Sequence, residues 1–402
     1  MGYEVKAVRE SYPALGDGYA YLDGAAGTQV PSSVIEAIAD AYRVGLGNLG
    51  GAFPASERSQ ATVEECRRAV ADLVGGEPSG VVLGPNMTTL TYRFSRALAK
   101  QWEPGAEVVV SRLDHDANVR PWVQAAGAAG ASIRFAEVDP DSGELLPDQF
   151  DELLSERTKL VAVTAASNLI GTRPDVAVIS SKAHEVGALV YVDGVHWTPH
   201  GPVDMKALGA DFYATSAYKW SGPHVGAVVA LPALLATLRP DKLAPSSDAV
   251  PDRFEWGTPP IADFAGVTAA VEHLASLEEA ATGPRRERLR VSMAAVEAYE
   301  GRLFSLLLEG LESMEHVTTY GRAGRRAPTA YFNVAGRPPR RVAEHLASRR
   351  VNAWSGDNYG YELVGALGLR ERAGAVRAGV VHYNEESDVE RLLDALTELA
   401  PG

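Results

Sequence analysis

The sequence predicts an α/β fold: a large domain built on a mostly parallel sheet, and a smaller α+β domain. Three observations predict it. From about residue 60 to 230, short apolar runs alternate with stretches of helical periodicity. The runs are apolar throughout rather than every second residue, which is the pattern of strands covered on both faces. A chain of 402 residues, 46% hydrophobic and 22% charged, is long enough for one large domain and a smaller one.

Taken in order, residues 32–42 and 88–99 read as helices, and residues 80–83, 107–110, 159–163, 188–192 and 225–229 as strands. In such sheets ligands sit at the carboxyl ends of the strands. The polar tails of these runs carry Asn86, Asp114 to Asn118, Asn168, Asp193 and Lys219, so these are expected to converge on one pocket. Residues 235–263, rich in Pro, Ser and Asp, read as an irregular connection, and residues 264–310 as a long helical region. Strands at 329–334 and 375–381 bracket another helix, and an amphipathic helix over 387–399 closes the chain. The expected division is 15–265 for the large domain, with 1–14 and 266–402 forming the small one.

A formal net charge of −14 disfavours nucleic acid and anionic membranes, both of which attract clustered Lys and Arg. The N-terminal residues carry no apolar signal region, and no run of 18 or more apolar residues occurs, so a cytoplasmic protein is expected. Cys66 is the single cysteine. It lies in a helical stretch and reads as a small packing residue. His196 and His200 stand four apart, but Pro199 between them argues against a single helix presenting both to a metal, and none is expected. No Gly-rich dinucleotide loop, phosphate-binding loop or Gly-x-Ser-x-Gly elbow follows a strand.

The chemistry centres on Lys219, flanked by small and aromatic residues after a strand-like run at 211–214, and on Asp193 at the end of a neighbouring apolar strand. A lysine suited to a Schiff base and a carboxylate able to keep a pyridine nitrogen protonated together suggest pyridoxal phosphate. The stretch Asn86-Met87-Thr88-Thr89 follows a strand and opens a helix. It can meet a phosphate or simply cap the helix. Asn168 could donate to the cofactor's phenolic oxygen or form a turn, and His196 could address the same oxygen.

Together with Tyr21 to Ala26, Asp114 to Asn118, Gly171-Thr172, Ser216 to Lys219, Phe254 to Pro259 and Val376 to Gly379, this ordered set resembles the class V aminotransferase family of fold-type I PLP-dependent transferases, within its cysteine-desulfurase-like group. The resemblance runs over nearly the whole chain. It implies pyridoxal 5'-phosphate joined to Lys219, with Asp193 on the ring nitrogen. Met87, Thr88, Thr89, Ser216 and Tyr218 would stand at the phosphate, and His196 and Asn168 at the phenolic oxygen. Gly257 and Thr258 would reach the phosphate of the other subunit of a homodimer. Arg377 would grip the α-carboxylate of an amino-acid substrate, with Ala25, Asn118 and Tyr359 beside it.

Two departures stand out. The loop that carries the attacking cysteine in desulfurases reads Trp354-Ser355-Gly356-Asp357-Asn358-Tyr359-Gly360 here and holds none. The ring-stacking histidine falls on Asp116, with His115 one residue earlier, so either His115 turns in or Asp116 does different work, as an extra acid/base or as a solvent-bridging group. The expectation is therefore a lyase that abstracts the α-proton and cleaves a Cβ–heteroatom bond, C–S above all, without a protein persulfide. An aminotransferase or an amino-acid epimerase is the alternative. A true cysteine desulfurase or a non-catalytic scaffold is disfavoured.

Overall fold

The computed structural model describes residues 3–401. Seven strands form the large sheet: β1 (Val81–Gly84), β2 (Glu107–Ser111), β3 (Ser132–Ala136), β4 (Thr158–Thr164), β5 (Leu189–Asp193), β6 (Phe212–Ser216) and β7 (Gly226–Ala230). Their spatial order is β1-β7-β6-β5-β4-β2-β3. From β3 through β6 every pairing is parallel, while β7 runs antiparallel to both its neighbours. Strand β1 therefore points the same way as β6, and the carboxyl ends of β1, β2, β4, β5 and β6 open on one edge.

Successive strand residues face opposite sides of the sheet. Val109, Val161, Val163, Val190 and Val192 join one apolar cluster, and Val108, Val110, Leu160, Ala162 and Tyr191 join another. Burial on both faces explains why the strands read as unbroken apolar runs. Each fully buried Val or Leu contributes about 1.5–3 kcal/mol. Helix Met87–Ala99 begins where Asn86 accepts from the Thr89 amide at 2.8 Å, so the residue after the β1 turn is a true N-cap.

A second sheet, all antiparallel, is built from β8 (Val317–Tyr320), β9 (Thr329–Val334), β10 (Trp354–Gly356) and β11 (Ala375–Gly379) in the order β10-β11-β9-β8. With helices Arg285–Glu312, Pro339–Ser348 and Glu386–Thr397 it encloses its own core. The N-terminal residues are fastened to it. Arg9 donates to the Tyr383 carbonyl at 2.7 Å and to Asp388 at 2.8 Å, and Ala20–Tyr21 pairs with Val351–Asn352.

Several expectations need correcting. The long helical region is two helices, Ile261–Ala275 and Arg285–Glu312, because Gly283 at φ 93° and Pro284 break the run between them. The first of these crosses the expected boundary at 265/266, and its Val267, Ala270 and Val271 pack into the large-sheet cluster, as do Leu289, Met293 and Val296 of the second. Strands β3, β8 and β10 gave no clear apolar run: each is partly exposed. The connection after β7 contains a short helix, Pro232–Thr237. Among the described residues no helix is long and apolar enough to cross a membrane.

Candidate active site

At the shared strand edge lies a cavity of about 1000 Å³, continuous with a narrow inner one. Thr88, His115, Asn168, Tyr218 and Lys219 line both. Strand β6 delivers Lys219 on a short 3-10 turn, Ala217–Lys219, and its Nζ donates to the Ala25 carbonyl at 2.5 Å. Burial pushes the ammonium down to about 7, the Arg377 cation adds to this, and Asp193 opposes it. Near neutral pH this amine is therefore substantially free to act as a nucleophile or a base.

Asp193 ends β5 and is buried, its Oδ1 accepting from the Val195 amide at 2.9 Å. Burial raises the carboxyl to about 6, and the Val195 N–H and Lys219 hold it from going further. His196, also buried, pairs through Nε2 with Thr329 Oγ1 at 3.0 Å and lines the inner cavity. Burial, then His200, holds its pKa well below the usual imidazole range, so it is a neutral ring. His200 itself pairs with Glu300 at 2.7 Å.

His115 follows β2 and faces both cavities. Its Nδ1 accepts from the Ala117 amide at 3.0 Å, which leaves the proton of the neutral ring on Nε2. Burial brings its pKa down to about 3, helped by Lys219 and Arg377. Of the two readings of this segment, the geometry favours His115 over the inner cavity. Asp116 lines only the outer cavity, and its Oδ1 receives Arg120 Nε at 2.7 Å, so its carboxylate is already paired.

Asn168, beyond β4, donates from Nδ2 to the Asn358 carbonyl at 2.9 Å, while its buried Oδ1 has no partner. At the opposite end, Thr89 lines the outer cavity and Met87 and Ser216 the inner, and the Met87 amide donates to Ser216 Oγ at 3.0 Å. A Cβ on Gly226 would lie 2.3 Å from the Asn86 carbonyl carbon, so only glycine lets β7 pass this close to the turn.

Arg377 projects from the central strand β11, buried, with Nη1 donating to the Asn168 carbonyl at 3.0 Å. Burial lowers its pKa to about 10, with Tyr331 and Asp23 opposing, and among the described residues no carboxylate forms an ion pair with it. A buried, unpaired guanidinium lining a cavity suits bidentate capture of a carboxylate.

Some sequence candidates lie elsewhere. Asn118 is fully buried, bonded to Asp114 at 2.7 Å and to Trp122 Nε1 at 3.0 Å, and does not reach either cavity: its amide is used in packing. Ala25 enters through its carbonyl on Lys219. Gly257 and Thr258 are exposed on a loop outside this chain's own cavity. Cys66 is fully buried in helix Pro54–Val74, and burial pushes its thiol up, so it is inert.

Sequence reasoning missed Tyr92, Arg120, His224 and Trp354 on the outer cavity wall. Tyr92 stands four after Thr88 and Arg120 four after Asp116, which helical spacing signals. His224, whose ring stacks on Tyr218 at 5.1 Å between centroids, carries no such signal.

The family model Aminotransferase class-V matches residues 20–392. The chain belongs to this family. This class V aminotransferase-family chain is 38% identical over 400 residues to Uncharacterized protein MT3887 of Mycobacterium tuberculosis, covering 99% of this chain and all of that one. It is 31% identical over 407 residues to Aminotransferase-like protein FGM3 of Gibberella zeae, covering 98% of each. Among solved structures, the cysteine desulfurase CsdA of Escherichia coli superposes with a TM-score of 0.87 at 27% identity, covering 99% of this chain and 98% of that one.

The class V aminotransferase-family chain is a fold-type I enzyme, and its cofactor is pyridoxal 5'-phosphate. The residues present fit it: a depressed-pKa amine and a buried carboxylate line the same inner cavity, and the helix start at Met87 and Thr88 borders it as well. Once bound, the cofactor supplies an electron sink for charge that develops at the substrate α-carbon.

Proposed function

We propose that this enzyme is a lyase that cleaves the Cβ–S bond of an S-substituted cysteine and releases the sulfur as a free thiol. One observation carries the reading: Lys219 and Arg377 face a cavity whose lining contains no thiol, among the described residues, while the chain's single cysteine is buried elsewhere. Arg377 would bind the α-carboxylate and orient the α-carbon. Lys219 would take the α-proton, its lowered pKa leaving the amine free near neutrality. The Cβ–S electron pair leaves with the sulfur, which takes up a proton. In sum, R–S–CH2–CH(NH3+)–COO− and water give R–SH, pyruvate and ammonium.

Asp193 would hold the ring nitrogen protonated, and His115 would lie against the ring as a neutral donor. The exposed loop at Gly257 and Thr258, outside its own cavity, supports a homodimer in which it reaches the partner's site. The name of the Gibberella relative supports a second reading, amino transfer. Holoenzyme incubated with S-methyl- and S-benzyl-L-cysteine should release pyruvate and ammonium in equal amounts, and Lys219→Ala should abolish both. Amino transfer to an added keto acid with no pyruvate would overturn the lyase in favour of the second reading.

A further inference from the structure

The loop that replaces the cysteine-bearing segment is pinned rather than loose. Asn168 Nδ2 donates to the Asn358 carbonyl at 2.9 Å, the Asp116 amide to the Tyr359 carbonyl at 2.7 Å, and the Tyr331 hydroxyl to the Gly356 carbonyl at 2.6 Å. Within the loop the Tyr359 amide meets Asp357 Oδ1 at 3.1 Å. These bonds hold two successive non-glycine residues in left-handed conformation, Asn358 at φ 44° and Tyr359 at φ 61°. Such a backbone is strained and persists where surrounding contacts over-determine it.

What the strained turn achieves is the placement of one ring. Tyr359 stacks on His115, with centroids 5.3 Å apart and planes at 27°, yet remains 71% exposed toward the outer cavity. A second aromatic borders the same outer cavity. Trp354 on β10 lies directly opposite Arg377 on β11 in an antiparallel pair, so both side chains project from the same face of the sheet. Trp354 is 52% exposed and lines the same cavity. The carboxylate-binding guanidinium is thus flanked by an indole, and the histidine over the inner cavity is backed by a phenol ring. Both rings offer uncovered apolar surface to whatever extends outward from the α-carbon.

We infer that Tyr359 and Trp354 form an aromatic wall that selects substrates with an aromatic substituent on the side chain, such as an S-aryl or S-benzyl cysteine. This rests on the proposed function for the reaction but not for the binding. The rings recognise the substituent by offset stacking, and the pinned backbone removes the entropy cost of ordering the loop on binding.

The test compares S-benzyl-L-cysteine with S-methyl-L-cysteine on the holoenzyme, both by kcat/KM for pyruvate release and by Kd from the cofactor absorption band. The wild-type protein should prefer the benzyl compound in both. Tyr359→Ala and Trp354→Ala should each shrink the benzyl-to-methyl ratio about tenfold, about 1.4 kcal/mol, and Tyr359→Phe should keep it. A ratio that does not change in either alanine variant overturns the wall. If neither compound yields pyruvate, the lyase reading fails, and the Kd ratio still decides whether the wall exists.

Discussion

Arg377 Nη1 donates to the main-chain oxygen of Asn168 at 3.0 Å, joining the central strand of the small sheet to the strand end of the large one. Each sheet alone carries half of the proposed site: the large one would supply the amine and the carboxylate for the cofactor, the small one the cation for the substrate. This bond is one of the links between them. It uses one arm of the guanidinium and leaves the others for the substrate.

Replacing Arg377 by Lys should therefore weaken binding of amino acids by roughly tenfold or more, the value of a charge-assisted hydrogen bond lost along with its fork geometry. The matching amine without the carboxylate should bind both proteins equally. Titration of the cofactor absorbance with each ligand reads this. Equal weakening for both ligands would show that Arg377 only holds the two sheets together.

Lys219 gives a pH signature in the cofactor-free protein. Its folded pKa of about 7 lies below the usual 10.5, so the buried charge opposes folding in full below pH 7. Between about 7 and 10.5 the unfolded chain holds a proton that the folded one has released, and stability rises with pH. Lys219→Met lacks this contribution. Its melting temperature should exceed that of the wild type at pH 6 and the gap should close toward pH 10. A gap that stays flat across this range would mean that the amine is not desolvated.

Gly226→Ala should lower the melting temperature and the amount of cofactor retained after dialysis. The new Cβ would sit 2.3 Å from main chain at Asn86, which has no flexible end to move aside. Overpacking of this kind costs about 1–3 kcal/mol. The displacement falls on the turn that places Met87 and Thr88 at the cavity wall. Full cofactor retention at reduced stability would place the phosphate elsewhere.

Cys66→Ala should leave turnover intact, because the thiol is fully buried in helix Pro54–Val74 and borders neither cavity. The expected cost is in stability, about 1 kcal/mol for the small void. Sulfur release that disappears in a folded Cys66→Ala protein would refute thiol-independent cleavage.

The amino-acid sequence by itself determined the class of fold, the strand ends that open on the cavity, the lysine and the aspartate that line it, and the missing loop cysteine. These are local: a strand buried on both faces has to be apolar throughout, and its polar tail marks the end that opens on the ligand. Tertiary structure decided which of His115 and Asp116 faces the inner cavity: Arg120, which claims the Asp116 carboxylate, is itself held by Glu362 from far along the chain. It removed Asn118 from the site, because Asp114 and Trp122 consume its amide. It also brought Trp354 beside Arg377, a relation set by strand register across 23 positions of chain, which no local pattern encodes.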